Sequence, residues 1–142
     1  MGVQPLRVRD YMATQLITIG PEVEIMRAIH LLVECDISSL PVVDAQLRVV
    51  GILTERDCIR TAVEAGYFDE TGGMVGDFMT TPVHTVTPDD SLMDIAELFA
   101  DSSFRRCPVV ADGRLVGLIS RRDVLRALKS GAWFVDHGAA RE

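Results

Sequence analysis

Gly51-Ile-Leu-Thr-Glu-Arg-Asp57 and Gly117-Leu-Ile-Ser-Arg-Arg-Asp123 are two copies of one phrase. In each, a glycine leads a short apolar stretch of strand character. A Thr or Ser follows, and an Asp three residues later opens a helix. Working outward, Leu40-Pro-Val-Val-Asp44 is echoed by Cys107-Pro-Val-Val-Ala111, and Val8-Arg-Asp-Tyr-Met12 by Val75-Gly-Asp-Phe-Met79. Val8 and Val75 lie 67 residues apart, Gly51 and Gly117 only 66, so one residue is lost at the turn between them. A repeat of this length fixes the architecture before any single motif does. Two tandem copies related by pseudo-symmetry are expected to form a cleft between them and two related sites.

Each copy reads in the same order. A helical turn (Arg9–Met12, Gly76–Met79) precedes a β-rich stretch (Leu16–Ile19, Val83–Val86). Pro21 and Pro88 then stand just before an amphipathic helix, where the missing N–H costs nothing. Ile25, Ala28, Ile29 and Leu32 form one apolar stripe; Leu92, Ile95, Ala96 and Phe99 form its counterpart. Met26 and Val33, with Met93 and Ala100 in the second copy, widen the stripes. The extra width suits a subunit interface or a broad core face. Strands follow over Leu40–Val43 with Val49–Leu53 and over Cys107–Val110 with Leu115–Ile119, and helices over Glu55–Ala65 and Arg121–Lys129. The expected boundaries are 8–65 for the first repeat, 66–74 for a Gly-rich connector, 75–129 for the second repeat and 130–142 for a tail. The tail carries Trp133-Phe134 and reads equally as a docking segment or a frayed end.

Composition narrows the function. The chain has 142 residues, 14 Lys+Arg against 21 Asp+Glu, and a net charge of −7, the wrong sign for a phosphate-backbone binder. No apolar run is long enough to span a membrane, and no secretory signal is apparent. Cys35, Cys58 and Cys107 are an odd, scattered set, as expected of reduced thiols in the cytoplasm. His30, His84 and His137 fit no metal-ligand pattern, and neither a nucleophile elbow nor a P-loop is present.

The chemistry concentrates at Thr54-Glu-Arg-Asp57 and Ser120-Arg-Arg-Asp123. One reading is structural: Thr or Ser with an acid three residues on approaches a capping box. The other is functional. A carboxylate can accept both vicinal hydroxyls of a ribose, as an acid does in dinucleotide-binding folds. The adjoining helix start suits an anion.

The ordered set is Met-Thr before Thr-x-x-Pro, then Pro-Val-Val, then Gly-x-x-[Thr/Ser]-x-x-Asp. Occurring twice, with Met12-Ala13 in place of Met-Thr in the first copy, it resembles the CBS domain, and the tandem resembles a CBS pair or Bateman module. The resemblance implies an α+β (α/β-like) fold of two βαββα repeats packed as one pseudo-two-fold module. It also implies an adenosine-containing regulatory ligand: AMP, ADP, ATP, NAD or S-adenosylmethionine, with no obligatory cofactor. On the family pattern, Thr54 and Asp57 hold a ribose while Val83, His84, Phe104 and Arg105 line the rest of the pocket. Ser120 and Asp123 do the same with Leu16, Ile17, Ile37 and Ser38. Arg56 and Arg122 lie near phosphates. Because Phe104-Arg105-Arg106 stands where the first copy has Ile37-Ser38-Ser39, the Asp57 site is expected to hold phosphate better. Arg105 and Arg106 read alternatively as solvated charges, and His84 as a plain polar strand residue. The expected role is a non-enzymatic sensing module, homodimeric, acting on a separate protein effector without nucleic acid or membrane. An assembly module with vestigial sites is the alternative, and a small enzyme a remote one.

Overall fold

A computed structural model describes residues 5–65 and 72–133. Most of the connector, residues 66–71, lies outside these, as does the tail from Phe134 onward. The elements run α1 Val8–Tyr11, α2 Ile25–Glu34, β1 Ser39–Val43, β2 Val49–Thr54, α3 Glu55–Ala65, α4 Val75–Phe78, α5 Leu92–Asp101, β3 Arg106–Ala111, β4 Arg114–Ser120 and α6 Arg121–Ser130. β1 pairs antiparallel with β2, with an irregularity at Val42/Val43, and β3 pairs with β4. This is the mixed helix-and-strand architecture expected: two small sheets, each with its own helices.

The expected first strand of each repeat is reduced to one residue. Ile19 bridges Val42 in parallel, and Val86 bridges Val109. Prolines stop the ladder on both sides. Ile19 donates to the Pro41 carbonyl at 3.2 Å and accepts from Val43 N–H at 2.9 Å. The next rung upstream needs an N–H on Pro41, and the next downstream needs one on Pro21. Neither residue has one. Pro108 and Pro88 impose the same limits around Val86.

The chain divides into two compact units that do not coincide with the sequence repeats. The α2 unit gathers Ile17–Val83 with Gly113–Leu115; the α5 unit gathers the chain up to Leu16, His84–Asp112 and the residues from Val116 on. The leaders are therefore exchanged. Val75, from the start of the second repeat, is fully buried with Ile19, Ile25, Ala28, Leu32, Leu40, Val42, Leu53 and Cys58. Val8, from the start of the first, is fully buried with Val86, Leu92, Ile95, Phe99, Cys107, Val109, Ile119 and Val124. These nine positions match one for one, and the α5-unit core adds Ala127, whose counterpart is Thr61. Each fully buried Leu or Ile in them contributes about 1.5–3 kcal/mol.

The two motif glycines explain how the leaders dock. A Cβ on Gly51 would overlap the Met79 side chain, and a Cβ on Gly117 would overlap that of Met12. Only a bare backbone lets each methionine lie across its strand. Thr80 then bridges Ile52, and Ala13 bridges Leu118, adding a short edge to each sheet. Asp10 and Asp77 hold the leader turns by accepting from Arg7 N–H at 2.8 Å and Met74 N–H at 2.9 Å. In the α5 unit, Arg9 and Arg7 also pair with Asp89, and the hydrogen bond from Arg9 leads in holding that carboxyl below its ordinary value.

The widened stripe of α2 is not core. Met26 is 53% exposed and Val33 71%, as are Ile59 (64%) and Val63 (75%) on α3. Trp133 packs against the α5-unit core.

Candidate functional site

β2 ends at Thr54, and α3 starts on the next residue. Asp57 N–H donates to Thr54 Oγ1 at 3.0 Å, and Thr54 N–H donates to Asp57 Oδ2 at 3.0 Å. This reciprocal pair is a capping box, so the structural reading of the motif holds. It does not exhaust the carboxylate. Thr80 Oγ1 lies 2.9 Å from Oδ1 and 3.1 Å from Oδ2. One hydroxyl proton serves two oxygens there, leaving Oδ1 with spare acceptor capacity. No cation among the described residues forms an ion pair with Asp57.

Ser120 and Asp123 repeat the box at the start of α6. Ser120 N–H donates to Asp123 Oδ2 at 2.9 Å, and Asp123 N–H donates to Ser120 Oγ at 3.2 Å. Ser120 Oγ also lies 2.9 Å from Oδ2. The outer oxygen differs from that of Asp57: Oδ1 faces a guanidinium nitrogen of Arg126 at 3.3 Å. The Asp123 side chain is 16% exposed.

Several other expected residues meet in the α5 unit. The His84 and Phe104 rings stack with centroids 5.5 Å apart and planes inclined by 29°. Arg105 accepts at its carbonyl from Arg121 N–H at 3.0 Å, which sets its loop against the first turn of α6. The Arg121 side chain clamps that loop, donating to Phe104 O at 2.9 Å and Ser102 O at 3.0 Å. Glu55, the counterpart in the α2 unit, has no donors for such a clamp. There Ser38 O accepts from Glu55 N–H at 3.0 Å, and Ile37 N–H donates to Leu32 O at 3.0 Å. Arg56, Arg122 and Arg105 are exposed; Leu16, Ile37, Ser38 and Val83 are half-buried; Ile17 is 40% exposed.

A family model for the CBS domain matches residues 8–64 and again 75–130. The chain belongs to the CBS domain family. Its fold is that of solved CBS pairs. CBSX2, crystallised in complex with AMP, superposes with a TM-score of 0.75 at 33% identity, over 87% of this chain and 96% of that one. The CBS pair of protein MJ0100, in complex with 5′-methylthioadenosine and S-adenosyl-L-methionine, gives 0.75 at 27% identity, over 89% and 98%. An uncharacterised Methanocaldococcus jannaschii protein, MJ1225, is 33% identical over 130 residues, 92% of this chain. The chain spans only 45% of that relative's length.

Two residues of these CBS repeats were not singled out from sequence. Thr80 carries a faint signal, the Met-Thr of the family pattern, but nothing local shows its hydroxyl reaching a residue 23 positions back. Arg126 sits three residues after Asp123, a spacing that brings helical neighbours together. Burial raises the Cys58 thiol to about 11, with Asp57 and Glu55 adding to the effect. Burial likewise raises Cys107 to about 11. Among the described residues no group of His, Cys, Asp or Glu is arranged to hold a metal, and no helix is long and apolar enough to cross a membrane.

Proposed function

We propose that this CBS pair is a regulatory module that binds an adenosine-containing ligand, with Asp57 as the ribose acceptor. One observation carries the reading: the Asp57 carboxylate is fixed by its capping box yet, among the described residues, meets only neutral donors, Thr54 N–H and Thr80 Oγ1. The Thr80 hydroxyl and a ribose hydroxyl are both neutral donors to the same charged carboxylate, each bond contributing about 1.5–3 kcal/mol, so one replaces the other at little net cost. Exchanging Thr80 for ribose hydroxyls is therefore an inexpensive step. The stacked His84 and Phe104 offer an aromatic face of the kind a purine stacks on. The exposed Arg105 offers a guanidinium for phosphate. Val83 supplies an apolar wall and Arg56 further positive charge. AMP is the first candidate because a CBSX2 structure of the same fold carries it.

The same exchange supplies a signal. Thr80 is tied by its main chain to Ile52, with hydrogen bonds of 2.8 and 3.0 Å, and by its hydroxyl to α3. A ligand that takes the Asp57 oxygens from Thr80 loosens the tie between the α4 leader and α3. The exposed Met26, Val33, Ile59 and Val63 support a homodimer whose geometry reports that change to a separate protein effector. Light scattering at micromolar concentration tests the dimer; a monomer mass removes it.

A thermal-shift screen with AMP, ADP, ATP, NAD and S-adenosylmethionine tests the ligand class. A ligand at a hundred times its Kd adds about 2.7 kcal/mol to stability, a rise of several degrees for a chain of this size. No shift with any of them transfers the protein to the assembly-module reading.

A further inference from the structure

The two repeats hold their motif carboxylates differently. The difference traces to one residue in each leader. Thr80 and its counterpart Ala13, 67 positions earlier, occupy the same edge of their sheets, bridging Ile52 and Leu118. Thr80 places a hydroxyl on Asp57. Ala13 has no hydroxyl to give, and Asp123 takes Arg126 instead.

Arg126 is held there by more than the carboxylate. The same nitrogen donates to Tyr11 O at 3.0 Å, and the guanidinium carbon lies 5.6 Å from the centre of the Tyr11 ring. Tyr11 is itself tied to α6 through Ser130 Oγ, at 3.0 Å from its hydroxyl. Asp123 Oδ2 already faces two donors of Ser120, so Oδ1 is the oxygen left for a ligand, and it is the one Arg126 holds. Accepting a vicinal diol at Asp123 means breaking a charge-assisted contact, together with the carbonyl and ring contacts that anchor it. At Asp57 it means turning one neutral hydroxyl away.

We propose that Arg126 is an internal occupant of the Asp123 carboxylate, which keeps that repeat closed to ribose and limits each chain to one adenosyl ligand at Asp57. This rests on the ligand reading above and assigns the stoichiometry of that site pair. The chain thereby responds to its ligand with a single binding curve instead of two overlapping ones.

Calorimetric titration with AMP tests it in three proteins: wild type, Arg126→Met and Arg126→Gln. Methionine keeps an apolar stem against Tyr11, and glutamine keeps a neutral donor. The second variant carries the test if the first melts early. The expected result is one AMP per chain for wild type, abolished by Asp57→Asn, and two per chain for a folded Arg126 variant. The second event should disappear on adding Asp123→Asn. Two events in wild type, or one unchanged event in a folded Arg126 variant, overturn the role of Arg126 and leave Asp57 standing. No heat from AMP in any of the proteins overturns the ligand reading at Asp57, and the Arg126 proposal falls with it.

Discussion

Replacing Asp57 by Asn removes a charge while keeping most of the local structure. The Asn carbonyl oxygen can still accept from Thr54 N–H, the bond that measures 3.0 Å in the native chain. The Thr80 hydroxyl, now 2.9 Å from Oδ1, can turn a lone pair toward the new amide. Losing an N-terminal cap outright costs about 0.5–2 kcal/mol; with the acceptor retained, the cost should stay below about 1 kcal/mol, a few degrees of melting temperature. Binding should suffer far more. A hydrogen bond to a charged acceptor contributes about 1.5–3 kcal/mol, which at 1.4 kcal/mol per decade is roughly a ten- to hundredfold rise in Kd. Calorimetry with adenosine and with 2′,3′-dideoxyadenosine, on wild type and Asp57→Asn, separates ribose recognition from any general damage. The substitution should weaken adenosine strongly and dideoxyadenosine hardly at all. Equal losses for both ligands, or no loss for either, would refute the assignment of Asp57 to the ribose.

Arg105→Ala should weaken AMP by roughly tenfold or more while leaving adenosine within about twofold, because only AMP carries the phosphate; equal effects in titrations of the two ligands would return Arg105 to the solvated surface. Arg121→Ala removes the hydrogen bonds to Phe104 O and Ser102 O, and should reduce the ring-current shift of His84 measured by proton NMR in the ligand-free protein. An unchanged His84 signal would show that the clamp does not position the stack. With Cys58 and Cys107 both raised to about 11, each is thiolate in about one chain in a thousand at pH 8. The exposed Cys35 should therefore react with a thiol reagent long before the other two in the folded chain, and peptide mapping of the modified protein checks the order.

The periodic part of this fold was written plainly in the sequence. Ile25, Ala28 and Leu32 are core where their spacing put them, and the Gly-led strands run into helices as the two motifs implied. Leu16–Ile19 and Val83–Val86 have strand composition, yet their pairing stops at one rung because prolines stand on both sides of it. The exchange of leaders was not legible. Val8 and Val75 sit in nearly identical local sequence, and which copy's core each fills is decided by packing across the whole chain. For the site, spacing showed both the cap and the carboxylates. What surrounds each carboxylate depends on Thr80 and Arg126, whose roles come from tertiary placement and from the absence of a hydroxyl at Ala13.

The most direct measurement is a crystal structure of the AMP complex. The ribose hydroxyls should lie on the Asp57 carboxylate, with the Thr80 hydroxyl turned away from it and Arg126 still on Asp123. AMP seated on Asp123 with Asp57 and Thr80 still joined would contradict this reading.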